Sequence, residues 1–70
     1  MALMVKFIDG TERRFDADSA CLEDHDRLFV LAKYNSKKRG EERSDTFPSE
    51  QLVRAKFEDG RIVFGKGRIA

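Results

Sequence analysis

Cysteine and histidine, two residue types that serve as nucleophiles, bases and metal ligands, each occur once in this chain. Cys21 and His25 are four residues apart, close enough for both to reach one ion or for the imidazole to activate the thiol. Two ligands without a second pair do not make a structural zinc site, and no third group orients the histidine. We therefore expect Cys21 to be a small apolar filler beside Leu22, and we predict no catalytic residue, no metal and no cofactor.

An acidic segment over residues 16–26 has a composition that invites a calcium-binding interpretation. Its carboxylates are Asp16, Asp18, Glu23, Asp24 and Asp26. An EF-hand loop starting at Asp16 requires glycine at position 21 and glutamate at position 27, where this chain has Cys21 and Arg27. The spacing indicates a solvated acidic loop instead, with at most one turn of helix.

A glycine-rich stretch from Gly60 to Gly67 approaches the phosphate-binding pattern G-x-x-x-x-G-K-[ST]. Gly67 stands where the pattern needs a hydroxyl for Mg²⁺, and Ile62–Phe64 reads as an apolar strand. We therefore do not assign a phosphate-binding loop.

The densest basic segment, residues 33–43, is the strongest candidate for a binding surface. Its candidate partner-binding residues are Lys33, Tyr34, Lys37, Lys38, Arg39 and Arg43. Cations beside an exposed aromatic ring bind nucleic acid in small barrels, and they also serve as docking points for proteins. Glu41 and Glu42 in the same segment, together with a net charge of only +1, favour a protein partner. Nucleic acid remains the alternative.

Charge is distributed unevenly along the chain. Residues 1–26 hold three bases against seven acids, net −4, and residues 27–70 hold eleven bases against six acids, net +5. We expect segments 16–26 and 33–43 at opposite ends of a central strand, on the order of 20 Å apart. Such a dipole steers charged partners and leaves head-to-tail self-association open.

The composition indicates one small folded domain over residues 1–70. Of the 70 residues, 39% are charged and 40% apolar, with six phenylalanines to form a core, which argues against disorder. No apolar run is long enough to span a membrane. A single cysteine excludes an internal disulfide, and the start of the chain lacks the features of a signal peptide. We therefore expect a cytoplasmic protein without membrane contact.

Two Asp-Gly dipeptides, at 9–10 and 59–60, predict two β-hairpins, because glycine takes the positive φ of tight turns. A three-residue loop with a glycine bulge keeps Phe7 on the apolar face of the first hairpin. A tight two-residue loop in the second places Phe57 opposite Ile62. The two turns are thus predicted to differ.

Between the hairpins, Leu28–Ala32 predicts a strand buried on both faces, and residues 41–47 predict another strand after a loop that contains Gly40. Pro48 ends that strand, and Ser49–Gln51 suits a single helical turn. The predicted core comprises Leu3, Val5, Phe7, Phe15, Leu28, Val30, Leu31, Phe47, Leu52, Val53, Ala55, Phe57, Ile62 and Phe64.

The segment from Phe47 to Val53, Phe-Pro-Ser-Glu-Gln-Leu-Val, resembles the hydrophobic-Pro-Ser-x-x-hydrophobic-Val segment near the end of SH3 domains. That resemblance covers about a tenth of the chain and implies a one-turn helix before a late strand. The aromatic motif of SH3 domains is absent, so no peptide-binding residue is carried over. The order of strands is also similar to that of short uncharacterised β-rich proteins of bacterial and phage genomes, which implies no activity.

These observations together predict an all-β fold with at most one or two helical turns, as a small antiparallel five- to six-stranded barrel or rolled sheet, SH3-like. The expected function is that of a non-enzymatic protein-interaction module, a small accessory or regulatory protein that docks on a larger protein. The alternative is a nucleic-acid-binding accessory protein that uses segment 33–43.

Overall fold

The structure, a computed structural model, describes residues 1–65. Its elements are β1 (Ala2–Phe7), β2 (Glu12–Asp16), β3 (Ser19–Glu23), β4 (Leu28–Asn35), β5 (Gly40–Pro48), a 3₁₀ turn (Ser49–Gln51), β6 (Leu52–Phe57) and β7 (Ile62–Gly65). The all-β prediction and the single helical turn are confirmed. Within residues 1–65, no helix has the length and apolar character needed to cross a membrane.

The strands form two antiparallel sheets, a four-stranded sheet in the order β2-β1-β6-β7 and a three-stranded sheet in the order β3-β4-β5. Seven strands exceed the five or six expected from the sequence. No continuous ladder closes the described strands into a barrel, so the SH3-like barrel is not confirmed. β7 covers the apolar part of the phosphate-loop-like stretch, as expected, whereas Lys66 and Gly67 lie outside the described residues.

One corner of the molecule is made where the chain passes from the first sheet to the second between β2 and β3. The Ala17 amide donates to the Met1 carbonyl at 2.9 Å, which extends the β1–β2 ladder. The next amide, of Asp18, donates to the Ala32 carbonyl at 2.8 Å and begins the β3–β4 ladder. Because backbone pairing continues through the bend, the two sheets are held at a defined angle around Ala17, which is fully buried.

The core lies between the two sheets. The predicted core residues that are buried are Leu3, Val5, Val30, Leu31, Leu52, Ala55 and Phe57. Four more pack against the core while partly exposed, namely Phe7, Phe15, Phe47 and Phe64. Leu28 and Val53 are half-buried. The prediction omitted Phe29 and Ala17, which are both fully buried.

β4 is buried on both faces, as its apolar run predicts. Phe29 and Leu31 belong to the core cluster between the sheets, whereas Val30 points to the opposite face and is still only 2% exposed. Alternation along the strand therefore explains why Phe29 belongs in the core beside Leu31.

The two Asp-Gly turns have the same geometry, so the predicted difference between them is wrong. In each turn a phenylalanine amide donates to the carbonyl four residues later at 2.9 Å, Phe7 to Thr11 and Phe57 to Arg61. In each turn the aspartate Oδ1 also accepts the amide two residues later at 2.9 Å. Both glycines have positive φ, 91° at Gly10 and 93° at Gly60, as predicted.

The shared turn type shifts the second hairpin by one residue from its predicted register. Ile62 pairs with Lys56 instead of Phe57, and a bulge then restores the predicted pairing of Ala55 with Phe64. A one-residue shift moves a side chain to the other face of a sheet. Ile62 is therefore 51% exposed instead of buried, and Val63 packs against the core in its place.

Residues 19–23 form strand β3, so the prediction of a loop or helical turn over 16–26 is wrong for its centre. β3 pairs with β4 along its full length, from Ser19 opposite Ala32 to Glu23 opposite Leu28. Glu23 is the last residue of the strand, and the other acidic residues of the segment lie outside it. Residues 24–27 are the turn that follows, and Gly40 begins β5 instead of lying in a loop.

We predict that Gly10→Ala and Gly60→Ala each lower the free energy of unfolding by about 1–3 kcal/mol, because a side chain at this φ strains the backbone. A Cβ at either position meets no atom within 4 Å, so the effect is conformational and not steric. Gly40→Ala is the control: it has ordinary φ and should change stability by less than about 1 kcal/mol. Urea unfolding measures all three, and an equal loss at Gly40 would contradict the turn assignment.

We also predict that Phe57→Ala lowers stability by about 3–5 kcal/mol, which leaves little folded protein in a domain of this size. Ile62→Ala should change stability by less than about 0.5 kcal/mol because its side chain is on the surface. Thermal unfolding followed by circular dichroism distinguishes the two. Comparable losses at both positions would instead support the register expected from the sequence.

Candidate functional site

The β4–β5 hairpin carries the predicted binding residues at its tip and along its base. Asn35 pairs with Gly40 across the ladder, and residues 36–39 form the loop. The Asn35 Oδ1 accepts the Lys37 amide at 2.9 Å, and Arg39 closes the loop with a φ of 54°. These local contacts give the tip a defined backbone shape.

Four of the six predicted residues surround one open depression of about 460 Å³ on this hairpin. They are Lys33, Tyr34, Lys37 and Arg43, and Asn35, Ser36, Glu42 and Ser44 complete the lining. Tyr34 is 57% exposed there. Lys38 and Arg39 are on the same hairpin but do not line the depression.

Three of the predicted cations are already paired with carboxylates of this chain. The distances are 2.9 Å from Lys33 Nζ to Asp16 Oδ2, 2.6 Å from Lys38 Nζ to Glu42 Oε1, and 2.5 Å from Arg43 Nη2 to Glu23 Oε1. Among residues 1–65, no ion pair includes Lys37 or Arg39. The uncompensated positive charge of the hairpin therefore lies at these two residues of the tip.

The ion pair between Arg43 and Glu23 also has a packing role. Glu23 is opposite Leu28 on one side of β4, and Arg43 is opposite Ala32 on the other side. The pair therefore spans β4 diagonally on the face that Val30 shares, where the aliphatic stems of long charged side chains shield apolar neighbours from water. Arg43 acts within the chain in addition to bordering the depression.

The acidic segment is split between the two ends of β4, so its predicted separation from the basic segment is wrong for the first half. β3 runs antiparallel to β4, which brings Asp16 to Lys33 and Asp18 to the Tyr34 amide, whose nitrogen donates to Asp18 Oδ2 at 2.6 Å. Glu23, at the end of β3, and Asp24 and Asp26, in the turn that follows, lie at the other end of β4. Among residues 1–65, opposite charges are therefore less separated along β4 than the sequence indicates.

Two of these ion pairs shift the pKa values of Asp16, Lys33 and Glu42. The hydrogen bond from Lys33, followed by the amino group of Met1, lowers the pKa of Asp16, and the same hydrogen bond raises the pKa of Lys33. The hydrogen bond from Lys38, followed by that from Asn35, lowers the pKa of Glu42. These groups are therefore charged throughout the neutral range.

The Cys21 thiol donates to Glu23 Oε2 at 3.7 Å, and no hydrogen bond among residues 1–65 joins it to His25. Desolvation, followed by the charge of Glu23, raises the pKa of the Cys21 thiol, which keeps it protonated and weakly nucleophilic at neutral pH. The His25 side chain is 90% exposed, and its Nδ1 is 3.8 Å from the Asp24 Oδ1. Within residues 1–65, no three His, Cys, Asp or Glu side chains are grouped to hold a metal ion.

A second cationic surface, on the outer face of the four-stranded sheet, was missed by the sequence analysis. Lys6 lies opposite Arg54, and Lys56 lies one row away, opposite Met4. The local signal was present as two cations at alternating positions of β6. The pairing of β6 with β1, fifty residues away in the chain, is what gathers these cations.

No protein-family model matches this chain, and comparisons with curated proteins and with solved structures gave no significant match.

We predict that Lys33→Met raises the pKa of Asp16 toward its ordinary value, because the largest cause of its lowering is removed. A carboxyl whose pKa is lowered by folding stabilises the protein above its unfolded pKa, about 4, and that stability is lost as the pH falls through the folded pKa. Lys33→Met should therefore lose less stability than the native protein on acidification. NMR titration of the Asp16 carboxyl carbon measures the shift.

Lys37→Met is the matched control, since no ion pair among residues 1–65 includes this neighbouring lysine, and it should leave the Asp16 titration unchanged. An unaltered Asp16 pKa in Lys33→Met would contradict the assigned ion pair.

Proposed function

We propose that this protein is a non-enzymatic protein-interaction module, a small accessory or regulatory protein that docks on a larger protein through the tip of the β4–β5 hairpin. The observation that carries this proposal is the exposed ring of Tyr34 beside Lys37 on one depression. Tyrosine is among the residue types that contribute most to binding energy at protein interfaces, and nearby charges orient the partner.

The frame of the hairpin supports docking with little loss of entropy. The Asn35 Oδ1 accepts a hydrogen bond from the Lys37 amide, and the Asn35 Nδ2 donates one to Glu42 Oε2 at 3.0 Å. The Glu42 Oε1 forms an ion pair with Lys38. A binding loop that is already ordered loses little conformational freedom when the partner arrives.

A protein partner suits this hairpin better than nucleic acid does. Non-specific affinity for nucleic acid depends on the number of phosphates that cations neutralise. Here Lys33, Lys38 and Arg43 each hold a carboxylate of the same chain, so only Lys37 and Arg39 are available without breaking an ion pair. A protein partner needs an apolar anchor and few charges, which Tyr34 and these two residues supply.

The chemistry of the remaining residues supports a non-enzymatic role in a reducing compartment. The Cys21 thiol has a raised pKa and donates to the weakly basic Glu23 carboxylate at 3.7 Å, and His25 is on the surface. A cytoplasmic location, which we also propose, suits a chain whose one cysteine is a free thiol.

The topology supports an SH3-like, partly open barrel as the finer description of the fold. β2 and β3 act as one bent strand that belongs to both sheets, and β6 follows the 3₁₀ turn and pairs with β1. These features agree with the short SH3-like segment from Phe47 to Val53. The proposed docking surface does not depend on this description.

Replacing Tyr34 by Ser together with Lys37 by Glu should reduce capture of the protein partner at least tenfold while leaving the fold intact. The bait is the immobilised protein in nuclease-treated lysate of the native host, and retained proteins are quantified by mass spectrometry. The matched control replaces Ile62 by Ser together with Lys56 by Glu, which removes one exposed apolar residue and reverses one charge on the other sheet.

A partner retained equally by the Tyr34/Lys37 variant, or lost only from the Ile62/Lys56 variant, would contradict docking at the hairpin. Loss only when Asp24 and Asp26 are neutralised would place the interface at the turn after β3 instead.

A further inference from the structure

The outer face of the four-stranded sheet carries a block of four cations that come from three strands. Register places Met4 between Arg14 on β2 and Lys56 on β6, and it places Lys6 of the next row directly opposite Arg54. These residues alternate with the buried side chains of β1 and β6, so they point away from the core. All four cations are exposed.

Within residues 1–65, the block has four cations against two nearby acids, Glu12 and Glu58. Among residues 1–65, no ion pair includes Lys6, Arg54 or Lys56, and Arg14 reaches Glu58 Oε2 only at 3.9 Å. The cations lie in two cross-strand rows, the row of Met4 and the row of Lys6. The acid in these rows is Glu12, which lies opposite Lys6. Like charges directly opposite one another, as in the pair of Lys6 and Arg54, destabilise a sheet. An external anion relieves this repulsion, which distinguishes the face from the paired cations of the β4–β5 hairpin.

The same face has no aromatic side chain, which bears on the kind of anion it suits. All six phenylalanines are buried or packed against the core, and Tyr34 belongs to the other sheet. Proteins that bind single strands stack the bases on aromatic rings, which this face does not offer. A duplex keeps its bases stacked and presents phosphates on its outside, so it requires cations alone.

Two other anionic ligands, an acidic protein and a membrane surface, fit this face less well. The centre of a protein–protein interface is depleted of charged residues, whereas four cations occupy the centre of this face. Insertion into a membrane surface needs a broad apolar side, and in the described cross-strand rows that carry the cations only Ile62 and the half-buried Met4 are apolar.

We propose that this face binds the phosphate backbone of double-stranded nucleic acid without reading its sequence, through Lys6, Arg14, Arg54 and Lys56. The proposal goes beyond docking of a protein at the β4–β5 hairpin, since it uses the other sheet and a different ligand. Four phosphate contacts give a logarithmic salt dependence of affinity with a slope of about −3.6. The dissociation constant should lie in the non-specific range, roughly 10⁻⁴–10⁻⁶ M.

The test is fluorescence anisotropy with a labelled 20-base-pair DNA duplex, titrated at a series of salt concentrations. Replacing Lys6 and Lys56 by Gln removes two contacts, so the slope should fall in magnitude by about 1.8, from 0.9 per contact. Replacing Lys37 and Arg39 by Gln removes the same charge from the β4–β5 hairpin and should leave the slope unchanged. Circular dichroism confirms that both variants keep the native fold.

Several results would overturn the proposal. Absence of duplex binding at low salt would do so, as would an equal loss in both variants, which would show only a response to net charge. A loss confined to the Lys37/Arg39 variant would assign nucleic acid to the hairpin. Tighter binding of single-stranded oligonucleotide, of phosphatidylserine-containing vesicles or of polyglutamate would assign the face to that ligand instead. Apart from a loss confined to the Lys37/Arg39 variant, none of these results bears on protein capture in nuclease-treated lysate, so the two proposals fail independently.

Discussion

Packing of phenylalanine rings between the two sheets is the interaction on which the rest of this protein depends. The ring centroid of Phe47, on the three-stranded sheet, lies 5.6 Å from that of Phe7 and 5.2 Å from that of Phe15, both on the four-stranded sheet. At the other side of the core, the ring centroids of Phe29 and Phe64 are 5.6 Å apart. Each contact joins one sheet to the other, and such pairs add about 0.5–1.5 kcal/mol beyond the area they bury. A chain of this size without a disulfide has few other means of holding two sheets together.

Because the phenylalanines point inward, charged residues lie on the outer faces of both sheets. The charges are arranged differently on the two faces. On the three-stranded sheet, cations pair with acids across the strands, as Arg43 does with Glu23. On the four-stranded sheet, the cations of β1 and β6 meet one another. The first arrangement stabilises the fold, and the second costs stability and suits an external anion.

The turn at residues 24–27 has a strained backbone, and hydrogen bonds from Ser49 hold it in place. Asp24, His25 and Asp26 all have left-handed backbone conformations, with φ values of 53°, 55° and 64°. Aspartate and histidine are among the residues that tolerate this region best. Ser49 of the 3₁₀ turn holds the segment, because its Oγ donates to the Asp26 carbonyl at 2.6 Å and its amide donates to the Arg27 carbonyl at 2.8 Å. The turn after β3 is thus fastened to the connection between β5 and β6.

The amino-acid sequence by itself determined the features that depend on neighbouring residues: the all-β class, the first hairpin with its bulge at Gly10, the strand at Leu28–Ala32 and the helical turn at Ser49–Gln51. Each of these follows from alternation, from a turn dipeptide or from a proline within a few positions.

Tertiary structure decided the features that depend on which distant strands pair. Residues 19–23 have little strand propensity of their own and become β3 because β4 supplies the partner for their backbone. A shift of one residue placed Ile62 outside and Val63 inside, and no local pattern distinguished the two registers. The partners of the cations were decided in the same way, because an ion pair or a block of like charges on a sheet exists only after strands far apart in the chain lie about 5 Å apart.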